Sequence, residues 1–218
     1  MPYKGIESVV HGASDQCLKA IFDVHFEDSS LVADLTWGKG RFWKLLPGLN
    51  VTGMDADPRG GASIVSDYRS VPLADQSVDV AVFDPPFIFT PGLRGIVGSK
   101  RFFLGSDKTR FYEGPHSDCR IQAPSNAKEL LNHTLYACHE MKRIAKKGMI
   151  LKGQDLVTQL HPNWWTFDVM YLVGRELDIV PEDMLIQVSP AARLHDPRWK
   201  KQLHFRRRHA IYLVYKFQ

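Results

Sequence analysis

The sequence predicts an α/β domain: a mostly parallel sheet covered by helices on both faces. Three observations carry that expectation. Short β-branched runs alternate with longer segments of helical period. The run Val78–Phe83 (VDVAVF) has the character of a strand buried on both faces. Strands separated by helices pair in parallel, which places the helices on either side of the sheet. A length of 218 residues suits one domain, 1–218, with a sizeable core, and 44% hydrophobic with 24% charged residues is ordinary globular composition.

Taken in order, Ser14–Phe26 reads as a helix, with Ser14 as N-cap and Cys17, Leu18, Ile21 and Phe22 on one face. Leu31–Leu35 is a short strand that runs into a glycine-containing turn at Asp34–Gly40. Asn50–Asp55 and Ile64–Val65 are the second and third strands, and Val78–Phe83 is the fourth. Ser125–Lys147 reads as a long helix with Leu130, Leu131, Leu135, Cys138 and Met141 as apolar positions. Basic residues fill its last turns and Gly148 supplies the stop. Met149–Leu151 is a strand, Trp164–Leu177 a helix, and Met184–Val188 and Ala210–Phe217 the last two strands. Residues 88–124 have no clear period and are rich in Gly, basic and aromatic side chains, which reads as an inserted substrate loop or lid.

Composition excludes several classes. Hydrophobicity is too high and net charge too low for a disordered chain. No apolar run approaches the ~18–20 residues of a spanning helix. The opening MPYKGIESVVHG has no apolar signal-peptide core. Cys17, Cys119 and Cys138 make neither a CxxC pair nor an even disulfide framework, so a reducing, cytoplasmic compartment is expected. No His/Cys cluster has ligand spacing, His204 and His209 included, and no metal is expected. The net charge of +4 is unevenly spread: residues 94–120 sum to +3, residues 193–209 to +6, and the remainder to −5. Two basic segments on an acidic body suit a polyanion, because Lys and Arg displace counterions condensed on phosphates. Solvated loops are the bland alternative.

Four motifs carry chemistry. Asp34-Leu-Thr-Trp-Gly38-Lys-Gly40 follows a strand, and its glycines permit a tight turn and close approach to a ligand. A third Gly at the dinucleotide spacing would fall at Trp43; its absence argues against a nicotinamide fingerprint. Alone, the pattern also fits an ordinary strand–helix turn. Asp55 ends the second strand, where an acid can accept from ribose hydroxyls; Asp57 is the alternative, and a plain turn aspartate the simpler reading. Asp67, after the third strand, suits either an adenine amino group or a helix N-cap. Asp84-Pro85-Pro86-Phe87 ends the fourth strand and is the sharpest signal. Two prolines remove two N–H donors. Carbonyls and the carboxylate then face a ligand as acceptors beside an aromatic ring, which suits a planar group bearing NH2.

This combination resembles the Rossmann-like S-adenosylmethionine-dependent methyltransferases. The DPPF tetrad resembles the [DNS]-P-P-[YFW] motif of those that methylate an exocyclic or amide nitrogen, most of all DNA adenine-N6 and cytosine-N4 enzymes. The likeness covers roughly residues 30–218, and the closing RRRHAIYLVYKF is similar to the family's last strand. It implies a three-layer α/β/α fold on a seven-stranded sheet with an antiparallel last strand. It implies S-adenosylmethionine as cofactor, lined by Asp34, Thr36, Gly38 and Gly40, with Asp55 on the ribose and Asp67 on the adenine. Asp84 and the Pro85 carbonyl would accept from the target amine, and Pro86 and Phe87 complete the catalytic set, with Phe87 stacking on the base. Such a pocket requires a flipped or single-stranded base. The chain departs from the family's DNA enzymes in having no target-recognition domain of the usual size.

Within residues 88–124, aromatic rings interleave with Arg94, Lys100, Arg101, Lys108 and Arg110, as in clamps that track phosphates while rings stack on bases. Packing of those rings on the body is the alternative. Arg206, Arg207 and Arg208 form a second candidate phosphate contact. Trp164 and Trp165 read as core or edge residues. The favoured function is a DNA base amino-methyltransferase with nucleic acid as partner. RNA base methylation at guanine N2 or adenine N6 is the alternative, and a non-catalytic nucleic-acid-binding module the reading from another class. Protein glutamine fits less well, given the basic excess and Asp rather than Asn at position 84.

Overall fold

The computed structural model describes residues 5–56, 60–85, 124, 126–158, 161–188 and 208–217. Its elements in order are β1 (Val9–His11), α1 (Ser14–His25), β2 (Leu31–Asp34), a single 3-10 turn (Arg41–Trp43), β3 (Asn50–Asp55), β4 (Ile64–Val65) and β5 (Val78–Phe83). Then come α2 (Ala127–Ile144), β6 (Ala145–Gly153), β7 (Leu156–Thr158), β8 (His161–Asn163), α3 (Trp165–Leu177), β9 (Asp183–Val188) and β10 (His209–Lys216).

Eight strands form one sheet in the order β1-β9-β10-β6-β5-β2-β3-β4. Every pairing is parallel except those of β10, which runs antiparallel to both β6 and β9. The expected antiparallel last strand is therefore present. The expected count of seven is exceeded by β1, which adds parallel to the β9 edge; three residues are too few to carry a period in the sequence. β7 and β8 form a separate hairpin between β6 and α3.

Strand alternation sorts the core into two layers. Val80 and Val82 of β5, Ile150 of β6 and Tyr212 and Val214 of β10 face α1, against Cys17, Leu18, Ile21 and Phe22. Ala81 and Phe83, Met149 and Leu151, and Leu213 and Tyr215 face α2 and α3 on the other side. The period of two in the strands and 3.6 in the helices is what makes these faces meet. Among the described residues no helix is long and apolar enough to cross a membrane.

Two helix ends differ from expectation. Ala13, not Ser14, is the N-cap of α1: its N–H donates to Gln16 Oε1 at 2.9 Å, while Ser14 Oγ reaches Gln187 Oε1 at 3.4 Å. Gly148 does not stop α2. The helix ends at Ile144 and turns without a linker into β6, whose first residue is already extended (φ −98°, ψ 143°). Gly148 lies inside β6 because a Cβ there would collide with the Tyr215 carbonyl and stand 3.0 Å from the Phe26 ring. At its start α2 is capped by Asn126, whose side chain accepts from Glu129 N–H at 2.9 Å.

Candidate active site

The sheet order defines where a ligand can sit. From β2 the chain adds β3 on one side, then returns to add β5 on the other. A crevice opens beyond the carboxyl ends of the strands at such a reversal. Asp34 closes β2, Asp55 closes β3, and Asp84 follows β5, so three acids drawn from distant parts of the sequence stand at that rim.

The turn between β2 and β3 is built for close approach. Gly38 and Gly40 hold φ of +55° and +62°, a left-handed backbone that a side chain opposes. Trp37 N–H donates to Met54 O at 2.8 Å and Gly38 N–H to Asp55 Oδ2 at 2.7 Å, which ties the turn to β3. The Trp37 ring lies over Gly40 and Gly53, filling space where either Cβ would project. Leu35 N–H donates to Val82 O at 2.9 Å, and Asp84 N–H to Thr36 Oγ1 at 2.8 Å, so the same turn is fixed to β5.

Asp34 lies beneath the turn and is 1% exposed. Its Oδ1 accepts from Thr36 N–H at 3.0 Å and its Oδ2 from Trp43 Nε1–H at 2.8 Å. Burial pushes its carboxyl up to about 7, against those two donors; the negative charges of Asp84 and Asp55 push the same way as burial.

Asp84 is paired with a lysine that belongs to none of the motifs. Lys152 Nζ donates to Asp84 Oδ2 at 2.9 Å and lies 4.8 Å from the centre of the Phe42 ring and 5.8 Å from that of Tyr212. Asp84 Oδ1 is buried and has no hydrogen-bond partner among the described residues. Burial raises the Asp84 carboxyl above the usual carboxylate range, and Lys152 pulls it back. The sequence does hold a signal for Lys152: a lysine at the carboxyl end of an otherwise apolar buried strand, MILKG.

Asp67 is engaged locally. Both its oxygens receive the Arg69 side chain, at 2.6–3.0 Å, and Oδ1 also accepts Arg69 N–H at 2.7 Å. Neighbouring Ser66 ties to β3 through its N–H and Asp55 O at 3.0 Å. Pro85 is buried directly after Asp84. Pro86, Phe87, Asp57, Cys119, Arg94, Lys100, Arg101, Lys108, Arg110, Arg206 and Arg207 lie outside the described residues, as does the expected loop 88–124 apart from Pro124; Arg208 stands exposed ahead of β10. The two tryptophans part: Trp165 is buried over Gly153, whereas Trp164 is exposed and meets Phe167 edge-on at 6.4 Å. No metal-holding group of His, Cys, Asp and Glu occurs among the described residues.

Neither a protein-family model nor a curated protein matches the sequence. Solved structures do match the fold. Magnesium protoporphyrin IX methyltransferase from Synechocystis PCC 6803, with SAH bound, superimposes with a TM-score of 0.51 at 10% identity over 94% of this chain and 83% of that one. The fold is that of the Rossmann-like SAM-dependent methyltransferases. The same enzyme with SAM bound gives a TM-score of 0.51 at 10% identity, over 94% of this chain and 79% of that one. A SAM-dependent methyltransferase from Thermotoga maritima gives 0.47 at 15% identity, over 94% and 88%. In this sheet Asp34, Asp55 and Asp84 stand together at the carboxyl ends of β2, β3 and β5.

Proposed function

We propose that the protein transfers a methyl group from S-adenosylmethionine to an exocyclic amino group of a nucleic-acid base, adenine N6 or cytosine N4 of DNA. The observation that carries this reading is Asp84 Oδ1: a buried acceptor after β5, beside the glycine turn, with no hydrogen-bond partner among the described residues. A buried acceptor without a donor is costly and calls for a ligand that supplies one.

The residues fit the cofactor. Gly38 holds a left-handed backbone, and a Cβ there would meet only the Thr36 carbonyl at 4.0 Å, which leaves room for close approach of a ligand. Asp55, which accepts from Gly38 N–H, ends β3, where a carboxylate is placed to meet ribose hydroxyls. When bound, S-adenosylmethionine would supply an electrophilic methyl group on a sulfonium, whose S–CH3 bond breaks to leave the neutral thioether. The chain positions the acceptor nitrogen. A base amine is a poor nucleophile because its lone pair is conjugated into the ring. Asp84 Oδ1 and the Pro85 carbonyl draw its two hydrogens toward tetrahedral geometry and free that lone pair. Positioning and electrostatics supply most of the rate. The methylated nitrogen is acidic, so its proton leaves by way of Oδ1 to water without need of a strong base.

The test incubates the protein with labelled S-adenosylmethionine and duplex DNA, single-stranded DNA, transfer RNA, ribosomal RNA or a protein extract, followed by digestion and mass spectrometry of the nucleosides. N6-methyladenine or N4-methylcytosine from DNA is the expected product. Label in RNA alone would move the substrate and keep the chemistry. Nucleic-acid binding without label or cofactor binding would make the chain a non-catalytic module.

A further inference from the structure

Lys152 is where the structure adds most to the motifs. Parallel strands β5 and β6 run in register, with Val82 opposite Ile150 and Phe83 opposite Leu151. The next pair along is Asp84 and Lys152, on the face that Val82 and Ile150 share. Side-chain alternation thus sets the two groups side by side. Lys152 is 9% exposed, and a lysine is seldom that buried without a partner. Its ammonium lies over the Phe42 and Tyr212 rings, and Tyr212 is its register partner on β10. The Tyr212 hydroxyl in turn donates to Gln187 Oε1 at 3.2 Å, and Gln187 Nε2 to Gly12 O at 2.9 Å. The ammonium is therefore held from behind by packed rings and a hydrogen-bonded chain, and from in front by one oxygen of Asp84.

A carboxylate without such a partner can rotate and offer either oxygen. We propose that Lys152 is a positioning residue: its ammonium fixes Asp84 Oδ2, so that Oδ1 alone is presented to the amine of the substrate. This rests on the amino-methyltransferase reading of the site. Other titratable groups packed around the pair are Asp34 from β2, Tyr212 from β10 and Cys17 from α1, with Asp55 of β3 acting on Asp34. Two of these are carboxyl groups. Loss of Lys152 leaves the Asp84 carboxyl without the cation that offsets its burial, which disfavours its ionised form. The carboxyl must then titrate at higher pH, and its capacity to accept must fail at higher pH.

The test uses the full chain with carboxyl-13C aspartate, in wild type, Lys152→Met and Lys152→Arg, with Asp84→Asn to assign the signal. The Asp84 carboxyl should titrate at least about one pH unit higher in Lys152→Met, the scale of losing an adjacent opposite charge, and near the wild-type position in Lys152→Arg. An unmoved titration in a folded Lys152→Met protein overturns the proposal. In methyl transfer, Lys152→Met should lower kcat by roughly 100-fold, the scale of losing one preorganised group. Its acid limb should move to higher pH, the affinity for S-adenosylmethionine should stay unchanged, and Lys152→Arg should recover most of the rate. A loss confined to cofactor affinity would make Lys152 a cofactor contact and overturn the proposal. If the wild type transfers no methyl group to any substrate, the functional reading fails, and the titration still decides whether Lys152 sets the state of Asp84.

Discussion

Asp34 shows how a single residue can work against the stability of the fold it belongs to. Its carboxyl titrates at about 7 in the folded protein and near 3.8 when unfolded. Between those values the native state holds a proton that the unfolded chain has lost. For this group alone, stability is greatest below pH ~4 and falls as the pH rises toward ~7. Urea unfolding near pH 5 and pH 8 should show wild type losing more stability over that interval than Asp34→Asn; equal losses would mean that Asp34 ionises freely in the fold. Asp55 belongs to the same rim. Asp55→Ala should weaken S-adenosylmethionine binding by ~1–3 kcal/mol, the scale of hydrogen bonds to a charged group, and unchanged affinity by calorimetry would remove it from the site. These acids are legible in the sequence because each stands at the end of an apolar run. Lys152 is less so. Its role depends on the register between β5 and β6, which no local pattern states. Asp67 shows a second limit: its spacing suits an adenine contact, and its pairing through both oxygens with Arg69, two residues on, is not stated by that spacing.

At the scale of elements, the boundaries that the sequence misses are those set by tertiary contact. Gly148 follows a basic helix end and looks like a stop, yet its small size serves the approach of β10 and Phe26 to β6. Gly148→Ala pushes against a backbone carbonyl that cannot rotate away. It should cost ~1–3 kcal/mol in denaturant unfolding, the range for overpacking, whereas a true C-cap glycine would show its loss in the helicity of α2 instead. The segment that leads into β5 is stapled by Arg143 of α2. Its guanidinium donates to the carbonyls of Leu73 and Val71 at 2.7 and 2.9 Å and to Glu140 and Asp75. Glu140 accepts from Val71 N–H at 2.6 Å and is held below the usual carboxylate range, first by Arg143. Arg143→Ala should destabilise by ~1.5–3 kcal/mol, and a change within error would mark the staple as a solvated surface pair. Strands β2, β3, β5, β6, β9 and β10 are legible as apolar runs and the helices from their period. β1, β7 and β8, three residues each, take their shape from neighbours rather than from their own pattern.

For the whole molecule, the parallel order with a reversal at β2 gathers Asp34, Asp55 and Asp84 at one rim, although 50 residues separate the first from the last. Order along the chain made the fold class readable, because strands alternating with helices leave few topologies. The uneven charge is the ground for proposing a polyanionic partner. Replacing Arg206, Arg207 and Arg208 with Ala should weaken nucleic-acid binding and flatten its dependence on salt by roughly one unit for each phosphate no longer neutralised; an unchanged slope would make that segment a bystander. Everything proposed for the site turns on Asp84 accepting from the amine that receives the methyl group, and a paired measurement on one variant meets that point. Cofactor affinity by calorimetry and methyl transfer to DNA are compared for wild type and Asp84→Ala. Affinity should stay close to wild type while the transfer rate falls at least ~100-fold, the scale of losing one preorganised hydrogen-bonding group. Transfer at the wild-type rate, or affinity and transfer falling together, would contradict the role given to Asp84.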